Sequence, residues 1–186
     1  GRVRVLVDDA GLTIANPGGF VEGINVHNLL TAEPRGRNPC LMDALKRTGL
    51  AERTGRGIDR IFEGALNYGR PLPDYSRSNR RGVSVLLPRS VPDKAFVELL
   101  AEERERSGKS MSLDGLLILD KLKSERRCGF DVLSGSLDMS DQRLRTVLGQ
   151  LTEAGLVESA GVGARRTYML GAKVYRRSGR AMEYVR

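Results

Sequence analysis

The sequence predicts an α+β chain in two parts, a small sheet with helices followed by a helical domain closed by a short hairpin. Three observations predict it. Apolar and polar residues alternate in short runs near the start and near residue 85, as in half-buried strands. Apolar residues recur at helical spacing between those runs. From Met111 onward the pattern changes to three consecutive helices and then two short strands.

Each element has a local reason. Arg2-Val3-Arg4-Val5-Leu6-Val7 alternates as a strand, Asp8-Asp9-Ala10-Gly11 supplies a turn, and Leu12-Thr13-Ile14-Ala15 returns as the second strand of a hairpin. Asn16-Pro17-Gly18-Gly19 stops it. Asn38 and Pro39 are an N-cap and first-turn signal for a short, packed helix with Leu41, Ala44 and Leu45 on one stripe, ending at Gly49. The next helix is more regular: Ile58, Ile61, Phe62, Ala65 and Leu66 fall on one face before Gly69 and Pro71, and that face is expected to pack on the sheet. Residues 82–87 read as a third strand, so residues 1–90 form a small antiparallel sheet with helices on one face. Residues 91–110 read as a connecting helix with Phe96, Leu99 and Leu100 inward. Helices follow over 113–124, 130–137 and 141–154, with Ser140 as N-cap of the third and Gly155 past its end. Strands over 156–159 and 167–170 enclose a glycine-containing turn with Arg165 and Arg166, which completes a domain over 111–171.

Composition narrows the function. The 186 residues are 40% apolar and 29% charged, an ordinary globular balance that excludes a disordered tail. Only Cys40, Cys128 and a single histidine, His27, are present, so no disulfide framework or cysteine/histidine zinc site can be assembled, and a Ser-His-Asp hydrolase is disfavoured. No apolar run reaches the roughly 18 residues of a membrane span and no secretion signal opens the chain, so a cytoplasmic protein without membrane contact is expected. Because the chain opens within a strand pattern, its natural start is expected upstream. Net charge is +8, and residues 160–186 hold seven basic residues against Glu183 alone. Such a stripe is the footprint of a polyanion or, equally often, a solvated basic face.

Three helices and a basic two-stranded hairpin, in that order, are the winged form of the helix-turn-helix. Met139 is placed to plug the corner between the second and third helices. Leu116, Leu117, Leu119 and Leu122 read as core. On the third helix, Leu144, Val147, Leu148 and Leu151 share one face, while Gln142, Thr146, Gly149 and Glu153 point away from it with Arg143, Arg145 and Gln150 on the shoulders. Arginine, glutamine and threonine can bond base edges or phosphates in a major groove. The DNA-binding candidates are therefore Ser140, Gln142, Arg143, Arg145, Thr146 and Gln150 on the helix, with Arg165 and Arg166 at the wing tip. The same helix reads also as a solvated face with two arginines, Asp141 and Glu153 are acidic, and many winged helices contact only proteins. The terminal segment 172–186, with Val174, Tyr175, Met182, Tyr184 and Val185 among arginines, reads as a basic helix that either pairs two chains into a homodimer or packs on its own domain.

A second candidate is Thr54-Gly55-Arg56-Gly57-Ile58, a Gly-x-Gly turn at a helix N-terminus, where free N–H groups favour a phosphate. A close-packed turn that needs glycine for its backbone angles explains it as well. Together with Ile14-Ala15-Asn16-Pro17-Gly18-Gly19-Phe20, Arg37-Asn38-Pro39-Cys40-Leu41 and Thr48-Gly49-Leu50, this turn resembles the C-terminal part of the RecG-related ATP-dependent helicase family. The resemblance covers about residues 1–90. It implies a divergent GHKL-type ATPase fold, commonly attached to a Schlafen-type AlbA domain, while residues 91–186 are similar to the winged-helix tail of such bacterial transcriptional regulators. It further implies that Asn16, Gly18 and Gly19 correspond to the acidic-glycine box beneath adenine, and Gly55 and Gly57 to the glycine box near the phosphates. Asn16 stands where an aspartate is expected, and the helix with the magnesium-binding asparagine is missing. ATP and magnesium are thus implied for the full-length protein and no cofactor for this fragment. No Gly-x-x-x-x-Gly-Lys-Ser/Thr loop occurs, so no recognisable motor is present.

The resulting expectation is the C-terminal piece of a DNA-binding transcriptional regulator, reading duplex DNA through a winged helix, with no catalytic residue and no metal site. The alternative is a nucleotide-dependent, RecG-related ATPase whose winged helix docks a protein partner or mediates dimerisation.

Overall fold

A computed structural model describes residues 1–51 and 56–177. The chain divides into two units, one of Gly1–Ala65 and Arg70–Val91, the other of Leu66–Gly69 and Pro92–Arg186. Both carry helices and small antiparallel sheets, so the α+β class holds.

In the first unit, β1 (Arg4–Asp8) and β2 (Gly11–Pro17) form the expected hairpin, and β3 (Gly82–Pro88) adds to β2 to give the order β1-β2-β3, antiparallel throughout. The Asp8 carboxylate accepts from the N–H groups of Ala10 (3.0 Å) and Gly11 (3.2 Å), an Asx turn that sets the hairpin. Gly11 is required as glycine: at φ +139° its missing Cβ would fall onto the Leu87 carbonyl. The register Val5↔Ile14↔Val85 places Val5, Val7, Leu12, Ile14, Val83 and Val85 on one face. Arg4, Thr13, Ala15 and Ser84 lie on the other. Asp74 bridges Leu86 at the outer edge of β3 through two 2.9 Å backbone hydrogen bonds.

α1 (Pro39–Arg47) begins as the sequence predicts, with the Asn38 side chain accepting from Leu41 N–H at 3.0 Å. It is not packed as expected. None of its residues is buried and Leu41 is 56% exposed, because nine residues with one narrow apolar stripe cover little surface. α2 (Gly57–Asn67) holds the Phe62 ring parallel to that of Tyr75, centroids 6.4 Å apart, beside the Asp74 bridge. Gly55, with Thr54, lies outside the described residues.

In the second unit, α3 (Lys94–Ser107) is the helix expected over 91–110, capped by Asp93 and closed by Gly108 at φ +69°. Its Phe96, Leu99 and Leu100 are buried, which is why it groups with this unit. Glu103 is buried too and is held by Arg106, with Lys173 4.0 Å away. α4 (Leu113–Glu125) is the centre of the core: Leu116, Leu117, Ile118, Leu119 and Leu122 are all buried. It is followed by β4 (Arg127–Gly129), α5 (Phe130–Leu137), α6 (Asp141–Glu153), β5 (Val157–Ala160) and β6 (Thr167–Leu170), with sheet order β4-β6-β5. Sequence analysis misses β4, a three-residue strand with no alternation of its own, whose residues pair with Thr167–Met169 of β6, Cys128 opposite Tyr168. α7 (Ala172–Arg177) buries Val174 and starts where Ala172 N–H donates to Glu158 at 2.9 Å. Residues 178–186, including Met182, Tyr184 and Val185 of the expected terminal helix, lie outside the described residues.

Candidate nucleic-acid interface

The corner between α5 and α6 is built by Asp138 in the left-handed region at φ 49°, buried Met139, and Ser140. The Ser140 hydroxyl accepts from Arg143 N–H at 3.4 Å, so Ser140 is occupied as an N-cap. Leu144, Val147, Leu148 and Leu151 then face the core, which leaves Gln142, Arg143, Arg145, Thr146, Gly149 and Gln150 exposed. Core burial thus fixes which face α6 presents.

The exposed side chains are unequal. Arg143 is gripped by Asp114 of α4 through Nε and a second nitrogen, the latter 2.7 Å from Oδ1; Asp114 is only 12% exposed while Arg143 is 57% exposed. Arg145 lies over the Phe130 ring, 4.3 Å from its centroid, and 3.7 Å from Asp141. The Thr146 hydroxyl donates back to the Gln142 carbonyl at 2.9 Å. Gln142 and Gln150 have no side-chain hydrogen bond among the described residues, so their amides are free on this face. Asp141, next to Gln142, is itself engaged by Ser134 at 3.1 Å and by Arg145, while Glu153, three residues after Gln150, is exposed.

The turn between β5 and β6 carries a single 3-10 turn, Gly163–Arg165. Gly161, at φ +85°, approaches the Arg165 carbonyl so closely that a Cβ would sit 2.6 Å from it. That constraint shapes the tip, where Val162 is 83% exposed and Arg165 and Arg166 are exposed without an ion-pair partner among the described residues.

The nucleotide candidates look different. Asn16 is exposed at the end of β2 and its amide donates to Pro17 O at 3.3 Å. Gly18 N–H donates to Arg81 O at 2.8 Å, and a Cβ on Gly18, at φ +90°, would lie 2.7 Å from the Arg37 guanidinium. At Gly19 a Cβ would lie 2.6 Å from Asn79 O. These glycines are thus needed for close packing against residues 79–82 and Arg37. Gly57 opens α2, and a Cβ added there would meet nothing within 4 Å among the described residues. Asn16 offers no carboxylate where the resemblance expects an aspartate, and the described residues contain no group of three His, Cys, Asp or Glu side chains able to hold a metal.

A concavity of about 900 Å³ lies over the sheet of the first unit, with Asn16 on its lining and Gly57 outside it. Four arginines surround it: Arg2, Arg4, Arg77 and Arg81. Sequence analysis did not single these out, although Arg2-x-Arg4 within a strand places both on one face. No helix among the described residues is long and apolar enough to cross a membrane.

Residues 1–87 match the family described as "Putative ATP-dependent DNA helicase recG C-terminal". No curated protein matches the chain. Among solved structures, the DIP2311 protein from Corynebacterium diphtheriae is similar with a TM-score of 0.71 and 24% identity, over 89% of this chain and 34% of that one. That likeness shows the fold, and this chain spans about a third of the length of that protein, 34%.

Proposed function

We propose that this chain is a DNA-engaging part of a RecG-related, ATPase-like protein, and that residues 111–171 form a winged helix-turn-helix on duplex DNA. The observation that carries this reading is the order α4, β4, α5, α6, β5, β6, with the apolar face of α6 buried and its opposite face exposed alongside a basic hairpin tip. On this reading Arg165 and Arg166 contact phosphate, Gln142 and Gln150 approach base edges, and Arg143 and Arg145 reach phosphate with the donors their partners leave free. Transcriptional regulation, with homodimers on two-fold sites, is the finer form of the proposal. Fluorescence anisotropy of the whole chain on labelled duplexes tests it. Changing Arg165 and Arg166 together to Ala should weaken all sequences alike and lower the log–log salt slope by about 2, since each phosphate contact releases about 0.9 counterion. A flat salt response in the unchanged protein would refute duplex binding.

The match over residues 1–87 favours a second reading, a nucleotide-dependent ATPase whose winged helix docks a partner protein or pairs two chains. Calorimetry with ATP and magnesium separates the two. Asn16 and the close-packed Gly18 and Gly19 lead us to expect no binding heat from this chain. Micromolar binding that is lost when Gly57 is replaced by a bulky residue would establish the ATPase reading instead.

A further inference from the structure

We infer that the concavity over β1, β2 and β3 is a second DNA contact, one that holds the phosphate backbone of a duplex without reading its sequence. It goes beyond the reading of α6, since every residue that lines it belongs to the first unit. Arg4 opens β1 and Arg2 precedes it by two residues, and both line the concavity. Arg4 pairs with Ala15, which pairs with Ser84, so small side chains form the floor between the rims, with Thr13 and the apolar Leu6 beside them. Arg77 and Arg81 rise on the far side, from the segment that borders β3.

All four arginines are exposed, and among the described residues no acidic side chain lines the concavity. Arg2, Arg4 and Arg81 have no ion-pair partner among the described residues, and Arg77 acts only at a distance on Asp74. Guanidinium groups gathered in this way repel one another until an anion sits between them. Their planar donor forks suit phosphate oxygens. Among the described residues the lining also contains no aromatic ring on which an unpaired base would stack, which favours the outside of a duplex over a single strand.

The test uses the whole chain and a labelled duplex of random sequence, titrated between low and moderate salt. Arg2→Ala with Arg4→Ala, and separately Arg77→Ala with Arg81→Ala, should each weaken binding several-fold and lower the log–log salt slope by about 2. The corresponding Lys pairs should keep the slope, which distinguishes a charge effect from misfolding. Both Ala pairs should act equally in a background carrying Arg165→Ala and Arg166→Ala. An effect of the first-unit pairs with none from Arg165 and Arg166 would leave this inference standing and remove the proposal for α6. Unchanged affinity and slope in both Ala pairs would overturn the inference. So would equal losses in the Lys pairs, tighter binding of a single strand, or displacement of the duplex by ATP or inorganic phosphate at matched ionic strength, which would assign the concavity to a small phosphate ligand.

Discussion

Removing the clamp between Asp114 and Arg143 has a cost that the structure lets one estimate. Two charge-assisted hydrogen bonds join α4 to α6, and in a buried setting each is worth about 1.5–3 kcal/mol. Arg143 is 57% exposed, however, and exposed pairs yield only about 0.2–1 kcal/mol after solvent screening. With Asp114 only 12% exposed, a coupling near the top of the exposed range, about 1 kcal/mol, is expected. The single variants should differ: Asp114→Ala leaves an arginine that water can hydrate, whereas Arg143→Ala leaves a largely covered carboxylate without its cation and should cost more. Urea unfolding of the four proteins of the double-mutant cycle measures this, and about 1 kcal/mol moves the midpoint by roughly 0.3–1 M. Buried Cys128, in a Cys40→Ser background, gives a readout specific to the second unit, because its thiol reacts only once the unit opens. A coupling below about 0.3 kcal/mol at low salt would mean that the clamp is not held in solution, which would return Arg143 to the candidates for base readout.

Three other outcomes are expected. Arg145→Ala should lose about 0.5–1 kcal/mol by giving up its place over Phe130, and no such loss should occur when Phe130 is already Leu; equal losses in both backgrounds, read by urea unfolding, would refute the stacking. Gly18→Ala should destabilise the first unit by more than about 1 kcal/mol with no nucleotide present, through its positive φ and the Arg37 head; an unchanged melting temperature would free this glycine for a ligand role. Hydrogen bonds from Ser76, the backbone N–H first, hold the Asp74 carboxyl below its ordinary range, with Arg77 adding a smaller effect. A depressed folded value adds stability above the unfolded pKa of about 3.9 and loses it as pH falls through the folded value, so first-unit stability should drop below about pH 4, and Asp74→Asn should flatten that drop.

What the sequence reveals follows from how local each cause is. Ser140 and Asn38 cap helices through side chains that bond the next turn, and such signals are complete within four residues. The buried face of α6 is equally legible, since four apolar residues at helical spacing leave one solution. β4 is not legible, because Arg-Cys-Gly becomes a strand only when β6, some 40 residues later, lies beside it. The same limit applies to the site. Helical periodicity places Arg143 on an outward shoulder, but nothing local says that Asp114, 29 residues earlier, will hold it.

That distinction changes what α6 can read. A wheel of residues offers arginines, a threonine and glutamines as equivalent readers, whereas the folded helix has an arginine clamped, another stacked, and the threonine bonded to its own backbone. The amides of Gln142 and Gln150 remain unengaged on this face among the described residues, as does the exposed carboxylate of Glu153. A glutamine amide, with one acceptor and two donors, matches the N6 and N7 edge of adenine, so sequence preference should concentrate where these two side chains reach. The pre-set arginines instead fix where the helix lies against the backbone, because a guanidinium already held in place loses little rotamer entropy on meeting a phosphate.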